Sequence, residues 1–195
     1  MSDNTENKEI VKQISESAAL RTRIMSSLLF SALLVVGDQL SKSLIVKEIN
    51  YLGEKQIIDG FFSLFHTRNT GSAWSFLADK SWGIYVLTGI SVVMSIFVAF
   101  VMIKAIIRNY GQFAVILGML LGGAVGNLID RIRLGYVVDF LKFKFGTYVF
   151  PIFNVADIFC TVSVFLIIFM FIFKSKTVDQ FLNDCFGMRT KEEKK

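Results

Sequence analysis

Long apolar runs separated by short polar segments dominate the pattern along this chain. The stretches 82–103 and 109–129 contain no charged residue, and the stretch 145–173 contains a single one, Asp157. A helix that crosses a bilayer needs about 20 mostly apolar residues. Each of the three stretches is long enough, so each predicts one transmembrane helix.

A fourth apolar run lies nearer the N-terminus and is interrupted by charge. Residues 24–37 carry no charge, and Asp38 and Lys42 then break an apolar continuation to Val46. The preceding segment contains several Glu residues and no small-residue cleavage site, so we interpret the run as a retained helix rather than a removed signal peptide. The sequence thus predicts four spans, at residues 24–46, 82–103, 112–130 and 149–173.

The distribution of Lys and Arg predicts how these spans are oriented. Twelve of these residues flank the spans on the side of the two termini, and eight lie in the segments on the opposite side. Because positively charged flanks stay in the cytoplasm, both termini are predicted to be cytoplasmic. The predicted organisation is a cytoplasmic N-terminal tail, a transmembrane domain and a cytoplasmic C-terminal tail, at residues 1–23, 24–173 and 174–195.

The two longer segments on the outer side have patterns of their own. Residues 56–65 are rich in Ile and Phe around an Asp-Gly turn signal, and residues 141–145 alternate apolar and basic positions. The first pattern is typical of a small β element, and the second of a strand or a short amphipathic piece on the headgroups. We therefore predict an all-α membrane protein, a bundle of four transmembrane helices with a small extracytoplasmic element that contains β structure.

The composition excludes several classes of protein. Hydrophobic residues make up 53% of the 195 residues and charged residues 19%, which is too apolar for an ordinary soluble domain or a disordered chain. Two Cys and one His cannot form a disulfide framework, a Cys-rich zinc site or a pair of His ligands. The net charge of +5 comes from Lys and Arg scattered through apolar sequence, which is typical of membrane flanks rather than of a nucleic-acid-binding surface.

Asp38 and Asp157 are carboxylates within the predicted spans. Each lies about eight residues from the outer end of its span, hence about 12 Å below the outer boundary at roughly 1.5 Å per residue. Lys42 lies one helical turn from Asp38, so we interpret those two as a pair that orders the bundle. Asp157 has no basic residue within a turn, and an aspartate near mid-bilayer costs roughly 2.5–3.5 kcal/mol, which favours a functional role.

A second aspartate can approach Asp157 from the outer loop. Asp139 lies 18 residues earlier, and the chain doubles back between the two. Two carboxyl groups in one site of low dielectric cannot both ionise easily, so one keeps its proton. The ionised group can then activate water as a general base while the protonated one polarises a carbonyl, which is aspartyl-protease chemistry.

Short motifs, in order along the four spans, resemble those of one known family. The strongest are GNLIDR at 126–131, VDF at 138–140 and NVAD at 154–157, with weaker support from DQLSK at 38–42 and NTGSAW at 69–74. Over residues 24–173 the chain resembles the bacterial lipoprotein signal peptidases, also called signal peptidase II. Trp74 and Ser72 depart from the Phe and Ala that are usual in the family, and they lie in the loop on the substrate side.

The resemblance implies which residues carry the function. The two catalytic aspartates of the family fall on Asp139 and Asp157, which the topology had already placed near each other. The further positions implied to bind substrate or to support the site are Asp38, Asn69, Gly71, Asn127, Asp130, Arg131, Asn154 and Ala156.

Some of these supporting positions are given a more specific role by the resemblance. Asn69 and Arg131 would contact substrate, and Asn154 would orient the two aspartates. Asn127 and Asp130 would hold the end of the third helix, and with it Arg131.

The resemblance also implies the substrate and its setting. Family members remove the signal peptide from a prolipoprotein whose Cys already carries diacylglycerol, and they cut just before that Cys. The implied enzyme is an aspartic endopeptidase of the bacterial cytoplasmic, or inner, membrane, with its active site near the outer leaflet. We expect a monomer that acts on lipid-modified precursors in membrane lipid, uses no cofactor or metal and binds no nucleic acid.

Two other functions fit single features of the sequence. A Ser/Lys hydrolase would use Ser41 or Ser43 with Lys42, but neighbours on a helix point about 100° apart and do not readily pair. A small transporter or channel subunit would use Asp38 and Asp157 as a proton relay, but four spans without an inverted repeat do not favour it.

Overall fold

A computed structural model describes residues 2–71 and 82–188, with side chains from residue 7 onward. Of the described helices, four are long and apolar enough to cross a membrane, and a small antiparallel sheet accompanies them. The predicted fold class is thereby confirmed. In chain order the elements are α1 (Ser2–Glu48), β1 (Glu54–Ile58), β2 (Phe62–Asn69), α2 (Gly83–Ile107), α3 (Gly111–Leu134), β3 (Val137–Phe145), β4 (Tyr148–Val149), α4 (Val155–Phe173) and α5 (Ser175–Phe186).

Helix α1 extends well beyond the predicted first span on its N-terminal side. Residues 2–23, predicted as a tail, continue the same helix. They contain no Gly or Pro, and they include good helix formers such as Ala18, Ala19 and Leu20. The apolar pattern detected only the part of the helix that matches a bilayer. The cytoplasmic location of the extension stays a prediction.

Helix α4 begins at Val155, whereas the sequence predicted its span from residue 149. Residues 148–149 instead form β4, and Pro151 disfavours a helical conformation at the residue before it. Asn154 caps the helix, because its side chain accepts a hydrogen bond from the backbone N–H of Asp157. Asp157 therefore lies in the first turn of α4, nearer to the end of its helix than the eight residues expected.

Helix α3 packs against α1, α2 and α4, and two of its glycines permit close approaches. A Cβ atom at Gly126 would lie 2.7 Å from Asp38 Oδ2 in α1. A Cβ atom at Gly123 would lie 2.5 Å from the carbonyl oxygen of Ala156 in α4. Because no side chain fits at these distances, the two glycines bring α1 and α4 against the same end of α3.

Replacing Gly123 by Ala is expected to destabilise the bundle by about 1–3 kcal/mol. The new methyl group would overlap a backbone carbonyl, which cannot move aside as a side chain can. Thermal unfolding in detergent would show the effect as a lowered midpoint. Gly89→Ala in α2 is the matched control, because a Cβ atom there meets nothing within 4 Å. An unchanged midpoint for Gly123→Ala would contradict the tight contact between α3 and α4.

The sheet lies at the end of the bundle where α1 ends and α4 begins. Its strand order is β1-β2-β3-β4, and neighbouring strands are antiparallel. The β element predicted at residues 56–65 falls in the β1–β2 hairpin, and the segment predicted at 141–145 belongs to β3. Because Asn69 is opposite Val137 in the register of β2 and β3, the end of β2 lies beside the start of β3.

The C-terminal segment, predicted as a tail from residue 174, contains a helix that packs on the bundle. Helix α5 buries Val178, Phe181 and Cys185 within the main hydrophobic cluster of the helices. The Phe181 ring stacks on Phe113 of α3, with 4.1 Å between ring centroids, and Lys104 Nζ donates to the carbonyl oxygen of Cys185 over 2.6 Å. Helix α5 therefore covers the end of the bundle opposite the sheet.

Candidate active site

Asp139 and Asp157 line one cavity between the sheet and the helices. Asp139 lies near the start of β3, and Asp157 lies in the first turn of α4. The cavity has a volume of about 550 Å³, and Asn69, Asn127 and Arg131 also line it. The structure thus brings together the two aspartates that the sequence placed near each other and three of the predicted supporting residues.

Asn154 contacts both aspartates and is completely buried. Its Nδ2 donates to Asp139 Oδ1 over 2.7 Å, and its backbone N–H donates to Asp157 Oδ2 over 3.1 Å. Its Oδ1 accepts from the backbone N–H of Asp157 over 3.0 Å. That last contact fixes the orientation of the amide, so the Nδ2 group must point towards Asp139. The geometry suits the predicted role of Asn154 in orienting the pair.

Two further asparagines donate to the remaining carboxylate oxygens. Asn127 Nδ2 donates to Asp157 Oδ1 over 2.8 Å, and Asn69 Nδ2 donates to Asp139 Oδ2 over 2.9 Å. The backbone N–H of Gly71 donates to Asn69 Oδ1 over 2.9 Å, which orients that amide. Each of the four carboxylate oxygens therefore accepts an N–H, and both side chains are held in fixed positions.

Burial raises the pKa of Asp139 to about 7, and the neighbouring Asp157 adds to the rise. The hydrogen bonds from Asn69 and Asn154 act in the opposite direction, because they favour the ionised form. The Asp139 carboxyl therefore keeps its proton to higher pH than an ordinary aspartate does. A carboxyl group poised in this way can donate or accept a proton, as general acid–base chemistry requires.

Arg131 brings a positive charge to the same cavity. Its guanidinium donates to Ser91 Oγ only over a long 3.5 Å contact. Its buried Nε has no hydrogen-bond partner among the residues that the structure describes. A guanidinium that lines such a cavity can bind a carbonyl oxygen of a substrate, which agrees with the contact implied for Arg131.

Asp130 lies behind the cavity rather than in its wall. Its Oδ2 accepts the backbone N–H of Val138 over 3.0 Å, and its Oδ1 accepts from Gln39 Nε2 over 2.9 Å. Asp130 therefore holds the start of β3, and its predicted role at the end of α3 stays a prediction. The role of Gln39 was not predicted, although this residue lies within the DQLSK motif.

Asp38 also supports the site from behind. It is completely buried, and its Oδ1 accepts the backbone N–H of Ala156 over 2.9 Å, at the start of α4. The ion pair between Asp38 and Lys42 that the sequence predicted is confirmed, with 2.9 Å between Oδ2 and Nζ. Ala156 is itself completely buried, so a larger side chain there would meet the packed ends of the helices.

Part of the cavity wall is apolar. Its residues include Val137, Phe150, Pro151, Ile152, Phe153 and Ile158.

Within the described parts of the chain, no group of three or more His, Cys, Asp or Glu side chains is arranged to hold a metal ion. Ser72 and Trp74 lie outside the described residues.

The side chains that other hydrolase schemes would use have different partners in the structure. Ser41 Oγ donates to the carbonyl oxygen of Asp38 over 2.7 Å, and Ser43 is exposed, whereas Lys42 is buried against carboxylates. A Ser-His-Asp triad would need His66, the one histidine of the sequence, but His66 contacts the carbonyl oxygen of Ile49 over 2.8 Å and is not among the residues that line the cavity. The geometry gives no support to a Ser/Lys pair or to a histidine-based triad.

Comparison with known proteins identifies the family. The family model described as signal peptidase (SPase) II matches residues 30–173. A lipoprotein signal peptidase of Enterococcus faecalis is 45% identical over 155 residues, which cover 78% of this chain and 91% of that protein. One of Cupriavidus taiwanensis is 41% identical over 157 residues, which cover 79% of this chain and 86% of that protein.

Solved structures show a similar fold. Two that are described as bacterial membrane enzymes superpose with TM-scores of 0.65 and 0.64, at 29% and 33% sequence identity. They cover 79% and 75% of this chain, and 92% of their own length in both cases. Four of the described helices are long and apolar enough to cross a membrane, and the family model and the relatives match most of the chain. The chain therefore belongs to the signal peptidase II family and is a multi-pass bacterial membrane enzyme of the lipoprotein signal peptidase type.

Proposed function

We propose that this protein is an intramembrane aspartyl endopeptidase in which Asp139 and Asp157 activate water. Its substrate is a prolipoprotein that carries diacylglycerol on a Cys, and it cuts the peptide bond just before that Cys. The observation that carries the proposal is the pair of carboxylates in one cavity, both held by Asn154, with the pKa of Asp139 raised to about 7.

The reaction needs a pair that holds one proton. The protonated carboxyl donates a hydrogen bond to the scissile carbonyl oxygen, and the ionised one removes a proton from water. The resulting hydroxide attacks the carbonyl carbon while the protonated carboxyl transfers its proton to the carbonyl oxygen, and a tetrahedral diol forms. As the C–N bond breaks, a proton passes from the pair to the amine of the leaving Cys. At the same time one hydroxyl of the diol gives its proton back to the pair, so the signal peptide leaves as a carboxylic acid and the pair again holds one proton.

The other polar groups of the cavity have separate tasks in this scheme. Asn127, Asn69 and Asn154 hold the carboxylates so that no reorganisation is needed during the reaction. The Arg131 guanidinium lines the cavity, where it can bind a backbone carbonyl of the signal peptide. The apolar wall that includes Phe150 and Phe153 suits an acylated peptide, which stays in the lipid while it is cut.

We propose that the protein lies in the bacterial cytoplasmic membrane as a monomer, with both termini in the cytoplasm. The cavity then faces the outer leaflet, where a translocated precursor presents its lipidated Cys. Two features support this orientation. The four candidate spans are joined so that α1 and α3 end, and α2 and α4 begin, at the sheet. The larger share of Lys and Arg lies on the opposite side.

The substrate proposal is tested with purified protein and two forms of one precursor. We expect cleavage just before the Cys of the diacylated form and no cleavage of the unacylated form, measured by gel shift and mass spectrometry. A precursor with Ser in place of that Cys, which cannot take the thioether, is the matched control. Equal cleavage of acylated and unacylated forms would show that diacylglycerol is not recognised.

Replacing Asn69 by Ala is expected to shift the alkaline limb of the pH–activity profile to higher pH. The Asn69 amide favours ionised Asp139, so its removal lets the pKa of Asp139 rise further above its usual range. The pair then keeps its single proton to higher pH. The measurement is kcat/KM against pH, with the exposed Asn50→Ala as control. A limb that stays in place or moves to lower pH would refute this assignment.

A further inference from the structure

Two carboxylates behind the cavity have matching contacts. Asp38 accepts the backbone N–H of Ala156, the residue before Asp157, over 2.9 Å. Asp130 accepts the backbone N–H of Val138, the residue before Asp139, over 3.0 Å. Each proposed catalytic aspartate is therefore held through its preceding residue by a buried acid on a different helix.

One ammonium group joins these two acids. Lys42 Nζ lies 2.9 Å from Asp38 Oδ2 and 3.1 Å from Asp130 Oδ2. It also donates to Asn127 Oδ1 over 2.9 Å, so all three of its N–H groups have partners. Only 3% of the side chain is exposed. The sequence predicted the pairing with Asp38 alone.

We propose that Lys42 is a positioning residue that sets the separation of the two catalytic carboxyl groups, by clamping the two acids that hold the start of α4 and the start of β3. The proposal rests on the proposed function. The polar partners of Lys42 are Asp38, Asp130 and Asn127, and neither Asp139 nor Asp157 is among them. Lys42 acts through Asp38 on the element that carries Asp157 and through Asp130 on the element that carries Asp139.

The third contact of Lys42 strengthens the same arrangement. A lysine can only donate, so its bond to Asn127 Oδ1 forces the Nδ2 of that amide to point away. This orientation directs Nδ2 to Asp157 Oδ1. Without the ammonium, Asp38 and Asp130 would be two buried acids with no cation between them. Their repulsion would drive the start of α4 and the start of β3 apart.

The separation of the catalytic carboxyl groups has a signature in the pH profile. The pair is active while it holds one proton, and stronger coupling between the two groups widens the pH range of that state. If the groups move apart, the coupling weakens and the two limbs of the profile approach each other. The other charged or titratable groups near the pair are Lys42, Asp38, Asp130, Arg131 and Cys160.

The experiment measures kcat, KM and the pH profile of Lys42→Arg and Lys42→Met with a diacylated precursor. Lys47→Met, at an exposed position in the same helix, is the control. We expect kcat to fall about 100-fold in Lys42→Met, because a shift of about 1 Å in a reacting group costs that much, while KM changes less than about twofold. The pH range of activity should narrow in Lys42→Met. It should also narrow in Lys42→Arg, which keeps the charge but changes the spacing between Asp38 and Asp130.

A variant without buried charge separates positioning from folding. Lys42→Met combined with Asp38→Asn and Asp130→Asn removes the repulsion, and each Asn still offers an oxygen to the backbone N–H. We expect this triple variant to insert and unfold like the wild type but to keep the low kcat and the narrowed pH range. Wild-type kcat and pH range in the triple variant, or in Lys42→Arg, would overturn the clamp.

The same assays distinguish a failure of the clamp from a failure of the proposed function. Normal kinetics of the Lys42 variants, with Asp139→Asn inactive, would overturn only the clamp. Full activity of Asp139→Asn would remove the aspartyl mechanism and the clamp together.

Discussion

Asn in place of Asp139 or of Asp157 is expected to reduce cleavage of a diacylated precursor by about 10³-fold or more. Each substitution keeps the size of the side chain and removes the ability to carry a negative charge or to exchange a proton. Because the scheme needs one ionised and one protonated carboxyl, neither variant can form the active state. Both side chains remain able to hydrogen-bond, so we expect the variants to insert and fold.

The measurement is turnover of purified variants, with insertion and the unfolding midpoint determined on the same samples. Asp59→Asn is the matched control, since Asp59 is exposed in the turn between β1 and β2. If either active-site variant cleaved at a rate near that of the wild type, the aspartate pair would not be the catalytic machinery.

The second large effect is expected at Asn154. Asn154→Ala removes the donor to the Asp139 carboxyl and the side-chain cap of the first turn of α4, which carries Asp157. We expect kcat to fall about 100-fold through misplacement of the reacting groups and the protein to lose about 1 kcal/mol of stability through loss of the cap.

Asn154→Asp separates these two contributions. An aspartate can still accept the backbone N–H of Asp157 and cap the helix, but it cannot donate to Asp139. It also adds a negative charge beside the pair. We expect stability closer to that of the wild type and activity as low as that of Asn154→Ala. If Asn154→Asp were fully active, capping alone would explain the residue.

The spans were predictable from the sequence because a bilayer demands length and apolarity, and both are visible in the chain. The start of α4 was not predictable in this way. The apolar run from 145 to 173 contains the two residues of β4, a Pro and the helix cap, and hydropathy does not distinguish these from a helix. The extension of α1 to Ser2 was missed for the opposite reason, because its N-terminal turns are helical but polar.

The two aspartates were predictable as neighbours, because antiparallel spans place Asp139 and Asp157 at the same end of the bundle. The family resemblance added Asn69 and Asn154, which the structure shows in contact with the pair. Spacing along the chain cannot reveal how helices cross. For this reason the sequence predicted the ion pair of Lys42 with Asp38, one turn away, but not the one with Asp130. Asp130 reaches Lys42 because α3 packs closely on α1.

The most direct test of the aspartyl mechanism is an experimental structure of the protein with a diacylated peptide that carries a tetrahedral hydroxyl group in place of the scissile carbonyl. We predict that the hydroxyl oxygen lies within about 3 Å of both Asp139 and Asp157, where the attacking water would be held. A hydroxyl bound by only one of the two carboxyl groups, or held against a different side chain, would contradict the mechanism.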